Sequence, residues 1–410
     1  MKFLTNDGKV PWAKSAIELR EMKLGLVKFI STSNLVPGNL LILEKFKVYV
    51  VASADSNHEI VAAGEDGLKR HAKPDLEDGK VVEALYGLYQ GSGSVKNPDL
   101  YRSPGTPALK SRALSFLLRS ARAANQFPQM LQVAFDALYG EGTIPKLRAA
   151  GMSFVQWIAR MASDDKINPV APVLLSGLLK LINEGAQEGG QEAENLRAFA
   201  YEAVGLLSRR VPNLFTQDVS ILLSFFKAVS TEERNVRVSV QEALVMMIDA
   251  YKDIGKDAEK QKELEAVLLD NIVKPEHQAR YAAIRYNNSI FPFTYPLARY
   301  ICLLAAADAK LEVRDEARRG LAFPAPPPPA STPSEEPNLL STYRQTIPNF
   351  DATVSLISEM SKMQPTAVRL PGVRFVGGLT ADSYTSALEF LRRLVVLWSD
   401  CWADVEDFTG

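Results

Sequence analysis

Three histidines, His58, His71 and His277, and two cysteines, Cys302 and Cys401, are all that this 410-residue chain offers for imidazole or thiol chemistry. A zinc site needs four such ligands brought together by short spacings, and no histidine here has a second histidine or a cysteine at that distance in sequence. His58 and His71 fall in a polar stretch read as a loop. His277 lies one turn from Arg280, and all three read as solvated or structural. Cys302 sits in an apolar helical pattern and Cys401 near the end, which argues against a disulfide framework and for a reducing compartment.

Phosphate binding through a loop needs a strand, a glycine-rich turn and a helix opening with Lys-Ser or Lys-Thr. The nearest approach, Gly91-Ser92-Gly93-Ser94 followed by Val95-Lys96-Asn97-Pro98, has neither the strand nor the Gly-Lys pair and reads as a linker. The acid pairs Asp164-Asp165 and Glu232-Glu233 fall in turns beside helix starts, where carboxylates complement the helix dipole. The strongest local charge bias is 101–135, with Arg102, Lys110, Arg112, Arg119 and Arg122 and no acid. It could meet an acidic partner surface or RNA, but no aromatic stacking pattern accompanies it, so it reads first as a basic helix face with Leu114, Phe116, Leu117 and Leu118 turned inward. No catalytic, cofactor-binding or metal residue emerges, and partner-contact residues are not assignable.

What must position any surface is a set of helices. Five arginines, each after a small or apolar residue and three before another, recur as Arg148, Arg197, Arg237, Arg280 and Arg314, spaced by 49, 40, 43 and 34 residues. Two-helix solenoid repeats have a period of ~40–47 residues. Behind each arginine the apolar positions keep phase: Leu147, Gly151, Val155, Ile158; Leu196, Ala200, Val204, Leu207; Val236, Val240, Leu244, Met247. Offsets of four, eight and eleven lie on one helix face. The fourth copy is expected to break at Asn287, and the fifth runs into Pro324.

Each arginine helix follows another apolar-periodic segment, giving pairs at about 127–162, 168–210, 214–252, 257–290 and 294–321. Asn168-Pro169, Pro172, Pro212 and Pro296 supply helix-entry chemistry. A single pair cannot bury its own apolar face, so the pairs must stack. The expected fold is therefore all-α, a HEAT-like helical-repeat solenoid. In HEAT repeats an arginine and an aspartate of the preceding turn bond between neighbours. Only the fifth copy has the aspartate, Asp308, where the others carry Gly142, Gln191, Thr231 and Lys274.

Ahead of the repeats, 12–30 carries a helical stripe, Leu40 to Ala54 is densely apolar, Gly64 to Lys80 reads as a loop, 81–89 as a short helix and 108–124 as one further helix. Beyond them, Phe323-Pro324-Ala325-Pro326-Pro327-Pro328-Pro329-Ala330 continues to Pro337 as an extended linker, and helical patterns resume at 350–363 and 382–407, with an acidic end at Asp400, Asp404, Glu406 and Asp407. The resulting division is 1–107, 108–321, 322–349 and 350–410. Lys plus Arg at 47 against Asp plus Glu at 48 gives a net charge of −1 and no global case for nucleic acid or membrane. No stretch of the sequence approaches the ~20 apolar residues of a membrane-spanning helix.

Lys23-Leu24-Gly25-Leu26-Val27-Lys28-Phe29-Ile30, Val51-Ala52-Ser53-Ala54-Asp55-Ser56-Asn57-His58, Leu174 to Glu184, Ala203 to Asp218, Gln241 to Met247 and Leu303 to Asp308 are longer and more specific than shared helical-repeat patterning. In these blocks the chain resembles the proteasome-associated adaptor/scaffold family, very long HEAT-repeat proteins. The resemblance spans roughly 10–320. It implies a non-enzymatic adaptor in cytoplasm and nucleus that binds proteasome regulatory and core particles, supports their association and monitors faulty assemblies, with no cofactor, nucleic acid or direct membrane insertion. It also implies that this chain corresponds to an internal piece of a longer protein. The same fold would serve nuclear transport or phosphatase scaffolding, and an enzyme using residues read as caps is the reading from another class.

Overall fold

The computed structural model describes residue 4 and residues 13–321, apart from 33–38, 71–72, 92–102, 186–189, 217–218 and several positions between 293 and 307. The proline-rich segment, the helical patterns after it, Cys401, the acidic end, His71 and Arg102 lie outside the described residues, as do the expected boundaries at 322 and 350. Among the described residues the regular structure is helical, with no strand. The chain forms two compact units, Met1–Val211 and Pro212–Gly410. The described part of each is a HEAT-like stack of helix pairs.

The first unit contains α1 (Ala16–Thr32), α2 (Asn39–Ala52), α3 (His58–Arg70), α4 (Gly79–Gln90), α5 (Pro107–Leu117), the single turn α6 (Ala121–Ala124), α7 (Gln129–Tyr139), α8 (Pro145–Met161), α9 (Asp164–Gly185) and α10 (Gln191–Arg210). The pairs α4/α5, α7/α8 and α9/α10 stack so that the second helix of each pair packs on the next, α5 on α8 and α8 on α10. The second unit contains α11 (Ser220–Thr231), α12 (Arg234–Met247), α13 (Ala258–Ile272), α14 (His277–Ile290) and α15 (Leu311–Leu321), with α12 on α14 and α14 on α15. The in-phase positions Leu147, Val155, Ile158, Ala200, Val204, Leu207, Val236, Val240, Leu244 and Met247 are all buried, as one shared apolar face requires.

Four local expectations are corrected. The stretch from Gly64 is not a loop: α3 runs to Arg70. Its glycines lower helix propensity but let α3 lie against α2, since a Cβ on Gly64 would stand 2.6 Å from Ser53 N. The segment 108–124 is not one helix. It stops at Leu117, and Ser120 restarts the chain as α6 by accepting the Ala123 N–H at 3.1 Å.

The helix placed after Asn168-Pro169 begins at Asp164 and carries Pro169 and Pro172 inside it. The carbonyls those prolines leave unbonded, of Asp165 and Asn168, belong to residues on the exposed face, where water can satisfy them. Finally, α14 does not break at Asn287. That side chain is fully buried and donates from Nδ2 to Ala298 O at 2.9 Å and Cys302 Sγ at 3.2 Å, so its amide nitrogen is satisfied inside the helix packing while Oδ1 is buried without a partner among the described residues.

Candidate partner-binding surface

The repeat arginines define each helix pair from within. In α12, Arg237 Nε donates to Glu232 O at 2.6 Å; in α14, Arg280 donates to Lys274 O at 2.7 Å and Pro275 O at 2.8 Å; in α15, Arg314 donates to Asp308 O at 3.3 Å. In α10, Arg197 reaches Gly185 O. Each guanidinium thus satisfies a carbonyl at the turn before its own helix, where the preceding helix leaves acceptors unbonded. Arg148 departs from this, with its buried Nε lacking a partner.

Between repeats, Arg280 also grips both oxygens of Asp308, Nε to Oδ2 at 2.6 Å and NH2 to Oδ1 at 2.9 Å. This is the arginine–aspartate rung expected for the copy that carries the aspartate. A second rung was not expected: Arg237 lies 3.8 Å from Glu276, a carboxylate four residues before Arg280 rather than six. Elsewhere aromatic donors do the stitching. Tyr86 OH donates to Ala123 O at 2.7 Å, Tyr139 OH to Gly177 O at 2.6 Å, Trp157 Nε1 to Ser120 O at 2.8 Å, and Tyr286 OH to Leu244 O at 2.8 Å. Sequence reading missed these because a tyrosine in an apolar stripe looks like core, and only packing shows where its hydroxyl ends.

Two of the four described basic residues of the 101–135 stretch are neutralised. Lys110 pairs with Asp136 at 2.6 Å, and Arg112 pairs with Glu65 at 2.7 Å and donates to Ser53. Arg119 rests over the Phe116 ring, which Arg112 also meets, and both Arg119 and Arg122 are exposed. The acids missing from the local sequence come from α3 and α7. Arg122 also borders a groove of about 770 Å³ lined by Asp78, Gly79, Lys80, Glu83, Asn125 and Gln126. That lining has donors, acceptors and mixed charge but no histidine, cysteine or hydroxyl nucleophile.

His58 is the exposed first residue of α3. His277 opens α14 with Nε2 3.3 Å from Glu312 of α15; burial lowers its pKa below the ordinary histidine value, the nearby Glu312 carboxylate opposing part of that shift. Asp164 and Asp165 occupy the first turn of α9, where Asp164 meets Arg210 at 2.9 Å and Asp165 meets Lys166 at 3.1 Å. The Ser163 hydroxyl and Lys166 hold Asp165 below the usual carboxylate range. Among the described residues no three histidine, cysteine or acidic side chains are grouped to hold a metal, and no helix is long and apolar enough to cross a membrane.

The arrangement is that of a helical-repeat protein in which several polar side chains join neighbouring helices. Residues 1–305 match the family model described as "Proteasome component ECM29, N-terminal", and the chain belongs to the ECM29 family. It is 37% identical over 322 residues to the human "Proteasome adapter and scaffold protein ECM29", which covers 77% of this chain and 17% of that protein. It is 28% identical over 283 residues to the Schizosaccharomyces pombe "Proteasome component ecm29", covering 69% and 16%, and 26% identical over 312 residues to the Drosophila melanogaster "Proteasome-associated protein ECM29 homolog", covering 72% and 16%. The chain thus spans about a sixth of the length of these relatives.

Proposed function

We propose that the chain is a proteasome-binding adaptor or scaffold segment that acts by surface contact and not by covalent chemistry. The observation that carries this reading is family membership over residues 1–305, together with relatives named as proteasome adapter, scaffold and component. The geometry supports it: charged residues that could serve a reaction are tied to helix ends and inter-repeat rungs, as Arg280, Asp308 and Arg210 are. In this reading the partners are the regulatory and core particles, whose association it helps to stabilise and whose faulty assemblies it helps to monitor. Cytoplasm and nucleus are the proposed locations, and two cysteines in 410 residues accord with a reducing compartment.

The test is co-sedimentation of the purified full chain with purified proteasomes, core particle alone and regulatory particle alone, followed on native gels. Binding to the assembled particle, and a larger fraction of assembled particle after dilution when the chain is present, is the expected result. Absence of co-sedimentation at micromolar chain, with the fold verified by circular dichroism, overturns the reading.

A further inference from the structure

Three successive second helices of the first unit finish at one edge of the stack, and each finishes with an arginine. Arg119 follows α5 by two residues, and Arg160 and Arg209 are the next-to-last residues of α8 and α10. All three are exposed, and none makes an ion pair among the described residues. The edge is continuous by direct contacts. The Trp157 indole, one turn before Arg160, donates to Ser120 O beside Arg119, and Arg210, next to Arg209, donates to Arg160 O at 2.8 Å and Ala162 O at 2.6 Å.

An arginine at a helix end is ordinarily explained by the carbonyls it caps. That explanation fits Arg210, which serves the end of α8 through Ala159 O, Arg160 O and Ala162 O. It leaves Arg160 and Arg209 with no carbonyl to cap among the described residues, only the weak through-space attraction of an exposed last-turn cation to its own helix dipole. Nearby carboxylates are already committed: Asp164 to Arg210, Asp165 to Lys166, and Glu77 to the Ala121 and Arg122 N–H groups at 2.8 and 2.9 Å.

We infer that Arg119, Arg160 and Arg209 form a docking edge for an extended acidic polypeptide segment. The inference goes beyond the proteasome reading and does not depend on it. Neighbouring helices lie about 8–10 Å apart, so the three ends span about 20 Å. An extended chain advances ~3.3 Å per residue, so carboxylates about three residues apart would meet successive arginines. Guanidinium groups match carboxylates in bidentate geometry. Nucleic acid fits less well, because stacking needs open rings. Phe116 lies under Arg112 and Arg119, and the Trp157 N–H is held by Ser120, which leaves Phe127 as the exposed ring in the loop after α6 and no run of open rings beside the three arginines among the described residues.

The experiment is fluorescence anisotropy of the full chain with a labelled peptide carrying glutamate at every third position, its glutamine counterpart, and a single-stranded RNA of equal charge. The glutamate peptide should bind, the glutamine peptide should not, and affinity should fall as salt is raised. The triple variant R119Q/R160Q/R209Q should lose at least about tenfold, equivalent to ~1.4 kcal/mol, whereas K227Q, at an exposed site on α11, should match the parent. R209E alone, at a side chain with no hydrogen bond or ion pair among the described residues, should lose several-fold and keeps the test decisive if the triple variant melts early. Peptide binding unchanged in R209E and in the triple variant, or RNA binding more tightly than the peptide, overturns the inference.

Discussion

The Arg280 guanidinium holds both carboxylate oxygens of Asp308 from one repeat to the next, at 2.6 and 2.9 Å, with the two side chains only 15% and 8% exposed. The same arginine also donates to two carbonyls of its own turn, so one side chain fixes both the shape of a repeat and its join to its neighbour. Removing one partner of such a pair strands the other charge in a partly dry site.

Asp308→Ala should therefore cost about 3 kcal/mol. Arg280→Ala should cost as much or more, because it also leaves Lys274 O and Pro275 O without their donor. A double-mutant cycle by chemical denaturation should give a coupling energy well above the ~0.2–1 kcal/mol of exposed pairs. A coupling near zero would contradict the rung.

Arg237 is less buried and its carboxylate partner more distant, so Arg237→Ala should cost roughly 1–3 kcal/mol, mainly through the Glu232 carbonyl. Val240 is fully buried three residues later on the same helix. Val240→Asp should cost more, roughly 4 kcal/mol, by placing a carboxylate in the shared core. Equal melting of both variants and the parent would show that the repeat register is misassigned.

Two helical glycines should respond oppositely to alanine. A Cβ on Gly151 of α8 would stand 2.5 Å from the Ala137 Cβ of α7, whereas one on Gly87 of α4 would meet nothing within 4 Å. Alanine gains about 1 kcal/mol of helix propensity at either site. At Gly151, pushing α7 and α8 apart should cost ~1–3 kcal/mol and win, because the opposing methyl is fixed to a helix backbone. Thermal melts should show Gly87→Ala above the parent and Gly151→Ala below it.

Alkaline stability should be governed by tyrosines. Burial pushes Tyr139 and Tyr295 up to about 12, with Glu184 and Glu265 adding to the respective shifts, and raises Tyr86, Tyr89 and Tyr286 further. The folded chain keeps these protons where the unfolded chain, titrating near 10, gives them up. Their contribution is complete below pH 10 and is lost as pH rises toward 12 and above. Tyrosinate absorbance should rise in step with loss of helical signal, and ionisation of these side chains near pH 10 in a fully helical protein would disprove it.

The fold was legible in the sequence because its signal is local and repeated. Leu147, Gly151, Val155 and Ile158 share a face through helix periodicity alone, and five arginines at similar spacing mark where each helix pair turns. Composition likewise showed how little the chain offers for metal or thiol chemistry. Element ends were less legible: Pro169 looked like a helix start because sequence cannot show that the carbonyl it frees faces water, and Gly64 looked like a loop because its close approach is to Ser53, just past the end of α2.

Tertiary structure alone decided which charges are spent. The stretch 101–135 is basic in sequence, yet Lys110 and Arg112 meet Asp136 and Glu65 from separate helices while Arg119 is left to join Arg160 and Arg209 at one edge. Pairing depends on Coulomb attraction over a few ångströms and on desolvation, and both are set by distances between residues tens of positions apart. Periodicity along one helix determines which face is buried. Only the stacking of neighbours determines what a polar side chain on that helix can reach.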